Sequence, residues 1–140
     1  MVPNNEYVIN GYKYETDDKG RITSASGKLH MKEREGKLPI KDSKHDIGKG
    51  DEKETDDRGH LIGDQFDGSN GLENMVPQDS KINQNDFRSF ENQLADKVKA
   101  GSDVGVKIEP VYDSNSHRPD AIAVSYSIDG KQGTRVFPNP

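Results

Sequence analysis

The segment Asp57-Arg58-Gly59-His60 leads, through Asn74, Pro77, Gln78 and Ser80, to Asn83 and then to Glu91. These residue types suit hydrolysis assisted by a metal ion. That chemistry needs an activated water, neutralisation of the charge that develops, and stabilisation of a leaving oxygen. His60 can take a proton from water, because imidazole is largely neutral near pH 7. Asn83 offers a neutral amide oxygen to a hard cation. A cation such as Mg²⁺ keeps several waters, so one protein ligand plus substrate oxygens can suffice, and metal binding without substrate is expected to be weak. Gly59 is expected to let the backbone turn tightly beside the reacting group. A lone His beside a Gly would carry little weight; the surrounding pattern gives it meaning.

The pattern resembles the DNA/RNA non-specific endonucleases of the ββα-metal superfamily. Asp57 to His60 match the Asp-Arg-Gly-His core. Asn74, Pro77, Gln78, Ser80 and Asn83 match the following Asn-x-x-Pro-Gln-x-Ser-x-x-Asn stretch, and Glu91 stands eight residues on. The resemblance extends over roughly residues 10–140, through Tyr112, Arg118-Pro119, Val124 to Gly130 and Phe137-Pro138-Asn139. Its specific part is the window 57–91. The compact form, with Gly20-Arg21-Ile22 and Arg118-Pro119, is most similar to nuclease domains at the C-termini of bacterial polymorphic toxins, many of which follow an LXG-type export region.

The resemblance implies an enzyme that hydrolyses phosphodiester bonds of DNA, with RNA as an alternative substrate, using Mg²⁺ or Mn²⁺ and leaving a 5′-phosphate. It implies His60, Arg58, Glu91 and Arg34 as the catalytic set, Asn83 as the metal ligand, and Asn74 and Arg118 as substrate contacts. Arg34 is preferred to Arg21 as the upstream phosphate clamp, because Arg21 adjoins a turn. Asp57 and Arg58 can equally orient the motif. Asn74 can hold the His60 loop, bind a phosphate or simply make a turn, and Arg118 can be a structural residue at a strand entry. Residues 1–140 read as one nuclease domain, at the C-terminus of a longer secreted toxin that acts in a target bacterial cytoplasm. A cognate immunity protein covering the groove is the expected partner.

The elements that must position these residues are partly legible. Phe87, Phe90, Leu94 and Val98 recur on one helical face. Asn85 is the expected N-cap, and Gly101 lies just past the end. Glu91 shares this apolar side, so it needs a partner: an ordinary buried ion pair, metal-bound water, or a clamping Arg. Asn10-Gly11 between Tyr7-Val8-Ile9 and Tyr12-Lys13-Tyr14 predicts a hairpin, and Asp17 to Gly20 a second turn, giving a meander over 6 to about 29. Val104 to Tyr112, Ala121 to Ile128 and Thr134 to Phe137 read as strands, with a turn at Asp129-Gly130. Strands, helix, then strands argue an α+β fold: an antiparallel sheet with one long helix. Residues 30–55 read as a solvated loop, and His30, His45 and His117 as surface residues without metal-site spacing.

Composition bounds the alternatives. Leu, Ile, Val and Phe make up only 27 of 140 residues, near the roughly one fifth below which disorder becomes a live reading. No run approaches the roughly 20 apolar residues of a membrane span, and the absence of Cys excludes disulfides and thiolate metal sites. The net charge is −5, so any nucleic-acid binding must rest on local cations and be sequence-independent and salt-sensitive. An RNase of the same fold, and a partner-binding module that uses the motif as scaffold, are the competing readings.

Overall fold

Two hairpin turns meet a steric demand that their sequences satisfy. Asn10 and Gly11 have φ of 56° and 87°, and Asp129 and Gly130 have 51° and 85°. Such paired left-handed residues match the twist of two-residue hairpins. In the computed structural model, which describes residues 1–140, they close β1 (Glu6–Ile9) onto β2 (Tyr12–Thr16) and β7 (Ala121–Ile128) onto β8 (Lys131–Pro138). With β3 (Ile22–Lys28) and β6 (Val104–Val111) these strands form a six-stranded antiparallel sheet in the order β1-β2-β3-β6-β7-β8. A separate two-stranded sheet pairs β4 (Asp56–His60) with β5 (Met75–Asp79), the register setting Asp57 against Gln78 and His60 against Met75. The long helix follows β5 directly, so the fold is α+β and built around a ββα unit.

That helix differs from expectation at its start. Asn85 is not its N-cap. Helical geometry begins at Ser80, with the Asp79 carboxylate accepting from the Ile82 backbone N–H at 3.1 Å. This Asp caps the helix in the usual way. Asn85 instead lies inside a π-helical turn, Ile82–Phe87, which runs into α2 (Arg88–Lys99). Phe87, Phe90, Leu94 and Ala95 bury against the large sheet. Phe87 and Phe90 meet Phe137 at ring distances of 5.1 and 5.6 Å, and Phe90 also meets Tyr126. Val98 packs at the edge of this core.

The segment 30–55 is mostly irregular, as expected, but it is not free. It contains the short α1 (Lys44–Gly48), closed by a reciprocal capping box between Ser43 and Asp46. Asn70 donates to the Pro39 carbonyl, and Arg58 donates to those of Ile40 and Asp42. The meander is tied to the loop after β4 in the same manner. Tyr12 donates to the Phe66 carbonyl at 2.7 Å, and the Ser69 N–H donates to the Tyr14 hydroxyl at 3.0 Å. Both tyrosines are fully buried, so each hydroxyl needs such a partner. No helix is long and apolar enough to cross a membrane.

Candidate active site

The ββα unit brings His60, Asn83 and Glu91 to one groove of about 300 Å³, none of whose lining residues is hydrophobic. His60 ends β4, Asn83 lies in the π turn, and Glu91 lies in the first turn of α2. Lys32, Lys37, Asp64 and Gln65 form the facing wall. No cluster of three His, Cys, Asp or Glu side chains exists that could hold a metal ion. Any metal here must therefore use few protein ligands.

Asp57 gives Asn83 its orientation. The Asp57 carboxylate accepts from Asn83 Nδ2 and from Gln84 Nε2, each at 2.9 Å. The Asn83 amide nitrogen is thus committed to Asp57, which leaves its Oδ1 for a cation. A hard divalent cation that retains most of its waters fits this donor set.

Neither ring nitrogen of His60 bonds to another protein group, and Nε2 is buried without a partner. Burial holds the His60 imidazole below its ordinary value of 6.5; Asp64 opposes the shift, and Lys37 and Arg58 reinforce it. The ring is therefore neutral at pH 7 and able to accept a proton. Burial also pushes the Glu91 carboxyl up to about 8, with Arg88 offsetting only part of the rise. Gly63 packs against this carboxylate so closely that an added Cβ would collide with its oxygen. Gly59 has a different reason from the one expected. It is not at a tight turn but within β4, and a Cβ there would overlap the fully buried Gln78 side chain.

Four expected site residues do not reach the groove. Asn74 is completely buried. Its amide donates to the carbonyls of Ile62 and Ser69, and its Oδ1 accepts from the Ile62 N–H. Of the three readings open to Asn74, these bonds match the first, a lock on the loop after His60, and they leave no group for the substrate contact. Arg118 likewise matches its structural reading rather than the substrate contact. It clamps Asp56 with Nε and Nη2 at 2.8 and 2.9 Å and donates to the Asn139 and Pro140 carbonyls. Arg34 is held by Asp64 at 2.5 Å and by the Gly36 carbonyl, so it is not an open phosphate clamp. Arg58 does not line the groove and donates to the carbonyls of Ile40 and Asp42. His30 bonds the Asn10 carbonyl and stacks on Tyr12, and His45 and His117 face Glu52 and Asp51. Arg88 was missed. It lines the groove beside Glu91, and its only sequence signal was its spacing of three from Glu91.

This geometry accompanies a sequence match. Residues 3–130 match the profile of the DNA/RNA non-specific endonuclease family. The chain belongs to that family. It is accordingly a nuclease, a hydrolytic enzyme. It is 31% identical over 144 residues to the type VII secretion system protein EssD of Staphylococcus aureus strain USA300, across 97% of this chain and 23% of EssD. It is 28% identical over 121 residues to the Dickeya dadantii protein RhsA, named as a probable deoxyribonuclease, across 86% of this chain and 8% of RhsA. The chain thus spans less than a quarter of the curated relatives it matches. Its fold is similar to that of NucA from Streptococcus agalactiae with a magnesium ion bound, with a TM-score of 0.73 and 16% identity over 99% of this chain and 74% of that one. The endonuclease family fold thus accounts for both sheets and for the helix between them.

Proposed function

We propose that this endonuclease-family chain is an Mg²⁺-dependent, sequence-non-specific nuclease that cleaves DNA as a bacterial toxin domain. The observation that carries the reading is the convergence of His60, Asn83 and Glu91 on one polar groove, with Asp57 committing the Asn83 amide. His60 removes a proton from water as that water attacks phosphorus, and its buried, neutral imidazole suits the step. A divalent cation, when bound through Asn83, supplies charge neutralisation at the phosphate and the departing 3′ oxygen, leaving a 5′-phosphate. Glu91 would accept a hydrogen bond from water near such a cation, and its carboxyl would ionise with that positive charge beside it. Mn²⁺ is the expected substitute.

The S. aureus relative's place in a type VII secretion system supports reading residues 1–140 as a toxin unit of a longer exported protein, delivered to a target bacterial cytoplasm. An immunity protein seated over the groove would protect the producer. The deciding experiment is digestion of plasmid DNA, with a folded RNA in parallel. Wild-type protein with Mg²⁺ should degrade DNA, and EDTA or His60→Ala should stop it. A wild type inert on both substrates with Mg²⁺ and with Mn²⁺ refutes the proposal, and cleavage of RNA alone transfers it to an RNase.

A further inference from the structure

Six arginines stand in the sequence, and five have their guanidinium engaged. Arg21 bonds Asp17 and lies 4.3 Å over the Tyr112 ring. Arg34 pairs with Asp64, Arg58 with two loop carbonyls, and Arg118 with Asp56. Arg135 lies over the Phe90 and Phe137 rings. Arg88 alone has no hydrogen bond, ion pair or ring contact, and it is exposed. It stands one turn before Glu91 on α2 yet makes no ion pair with it.

Its position is as informative as its freedom. A second polar groove, of about 540 Å³, adjoins the first, and Gln84, Arg88 and Asn92 line both. Arg88 and Asn92 stand four apart on α2 and so share one face, and Gln84, in the π turn before them, lines both grooves with them. The face is a ridge between the two grooves, with one guanidinium flanked by two carboxamides. Farther out, the second groove is edged by Asp86 and Asp96, which repel phosphate. On the opposite wall Lys32 is already paired with Asp64 at 2.8 Å, while Lys37 is exposed and unpaired but offers a point charge without a planar fork. The ridge therefore offers the one uncommitted guanidinium, in the groove that holds His60, Asn83 and Glu91.

Resting on the nuclease reading, we infer that Arg88 grips the scissile phosphate and that Gln84 and Asn92 guide the chain across the ridge into the second groove. A guanidinium presents a planar fork that matches two phosphate oxygens and stays charged at every working pH. Arg88 thereby takes the phosphate-holding role that Arg34, committed to Asp64, does not fill. Each carboxamide is engaged at one end, Gln84 Nε2 with Asp57 and Asn92 Oδ1 with Gln65, and its remaining groups hydrogen-bond the chain without adding charge, which suits an acidic, sequence-indifferent protein.

The test compares wild type, Arg88→Ala and Arg88→Lys on a DNA duplex with Mg²⁺. Binding of that duplex by His60→Ala and by His60→Ala/Arg88→Ala is also measured over a range of NaCl. Loss of a donor aimed at developing charge should lower kcat/KM of Arg88→Ala by roughly 10²- to 10³-fold. Lys should restore part of it, because it keeps the charge but not the fork. The slope of log affinity against log salt should fall by about 1, the signature of one lost phosphate contact. A helix-surface charge that merely faces Glu91 would leave that slope unchanged. Arg88 is exposed, so melting temperatures should match the wild type. An active wild type with an indifferent Arg88→Ala, or an unaltered salt slope, overturns the inference alone. An inactive wild type overturns the nuclease reading and the inference with it.

Discussion

Glu91 is the groove residue whose charge state most depends on its surroundings. With no cation near, burial keeps its carboxyl protonated at neutral pH, since its value rises from 4.5 to about 8. A group whose folded value lies above its unfolded value contributes stability that is full below the unfolded value and is lost as pH rises through the folded one. His60 acts in the other direction. Its folded value is depressed below 6.5, so its contribution is present above 6.5 and is lost as pH falls below it. The two effects oppose each other just below 6.5, and Glu91 acts alone from 6.5 to about 8. In EDTA the wild-type melting temperature should therefore fall as pH climbs through that upper window. Glu91→Gln, neutral at every pH, should remove that fall, and saturating Mg²⁺ should flatten the wild-type profile as well. Thermal melts at stepped pH check this; parallel profiles for wild type and Glu91→Gln in EDTA would mean that the carboxyl is solvated and ionised.

Between residue and fold stands the contact from β4 to the π turn. Asp57 accepts from two consecutive carboxamides, Asn83 and Gln84, and so fixes both the orientation of one side chain and the seat of a helical irregularity. π turns recur at functional sites because they re-aim side chains within an otherwise regular helix. Asp57→Ala should weaken metal binding about 10- to 100-fold, the usual effect of removing a group that orients a metal ligand. Mg²⁺ titration of the cleavage rate reads this directly, and an unchanged Mg²⁺ requirement would show that Asn83 needs no such hold. Such links decide what the sequence discloses. The hairpin turns were legible because Asn10-Gly11 and Asp129-Gly130 carry their own backbone preference. The buried face of α2 was legible because Phe87, Phe90 and Leu94 keep the helical period. The helix start was not, since Asn85 is a good local cap while Asp79 performs the task. The β4–β5 pair showed no alternation, because polar Asp56 and Gln78 are buried there for tertiary reasons. His60, Asn83 and Glu91 could be picked from the motif that resembles the endonuclease family. Arg34, Arg58, Asn74 and Arg118 could not be sorted from Arg88, because what separates them is whether a distant residue already occupies the side chain.

At the scale of the molecule, an acidic chain with few large apolar residues must hold two sheets in register, and it does so with buried polar ties. The principal one is Arg118. It stands in the connection between β6 and β7, yet its guanidinium clamps Asp56 at the start of β4 and gathers the carbonyls of Asn139 and Pro140. The Asn139 side chain continues the tie, accepting from the Asp79 N–H and donating to the carbonyls of Pro77 and Pro119. Burial, the largest single influence, would raise the Asp56 carboxyl, but the Arg118 hydrogen bonds, the Lys53 backbone N–H and the charges of both residues together hold it below the ordinary range. The pair's side chains are only 10% and 1% exposed. Removing one partner therefore strands a charge, which costs about 3–5 kcal/mol, whereas replacing both can be nearly neutral. Arg118→Ala should lower the denaturant midpoint by an amount of that order, and Asp56→Asn in the same chain should recover part of it. The loss should appear as stability without a specific change in Mg²⁺ requirement or salt slope, which separates this arginine from Arg88. If instead Arg118→Ala kept full stability and lost the salt slope, its guanidinium would face substrate, and the tie between the sheets would have to lie in Asn139.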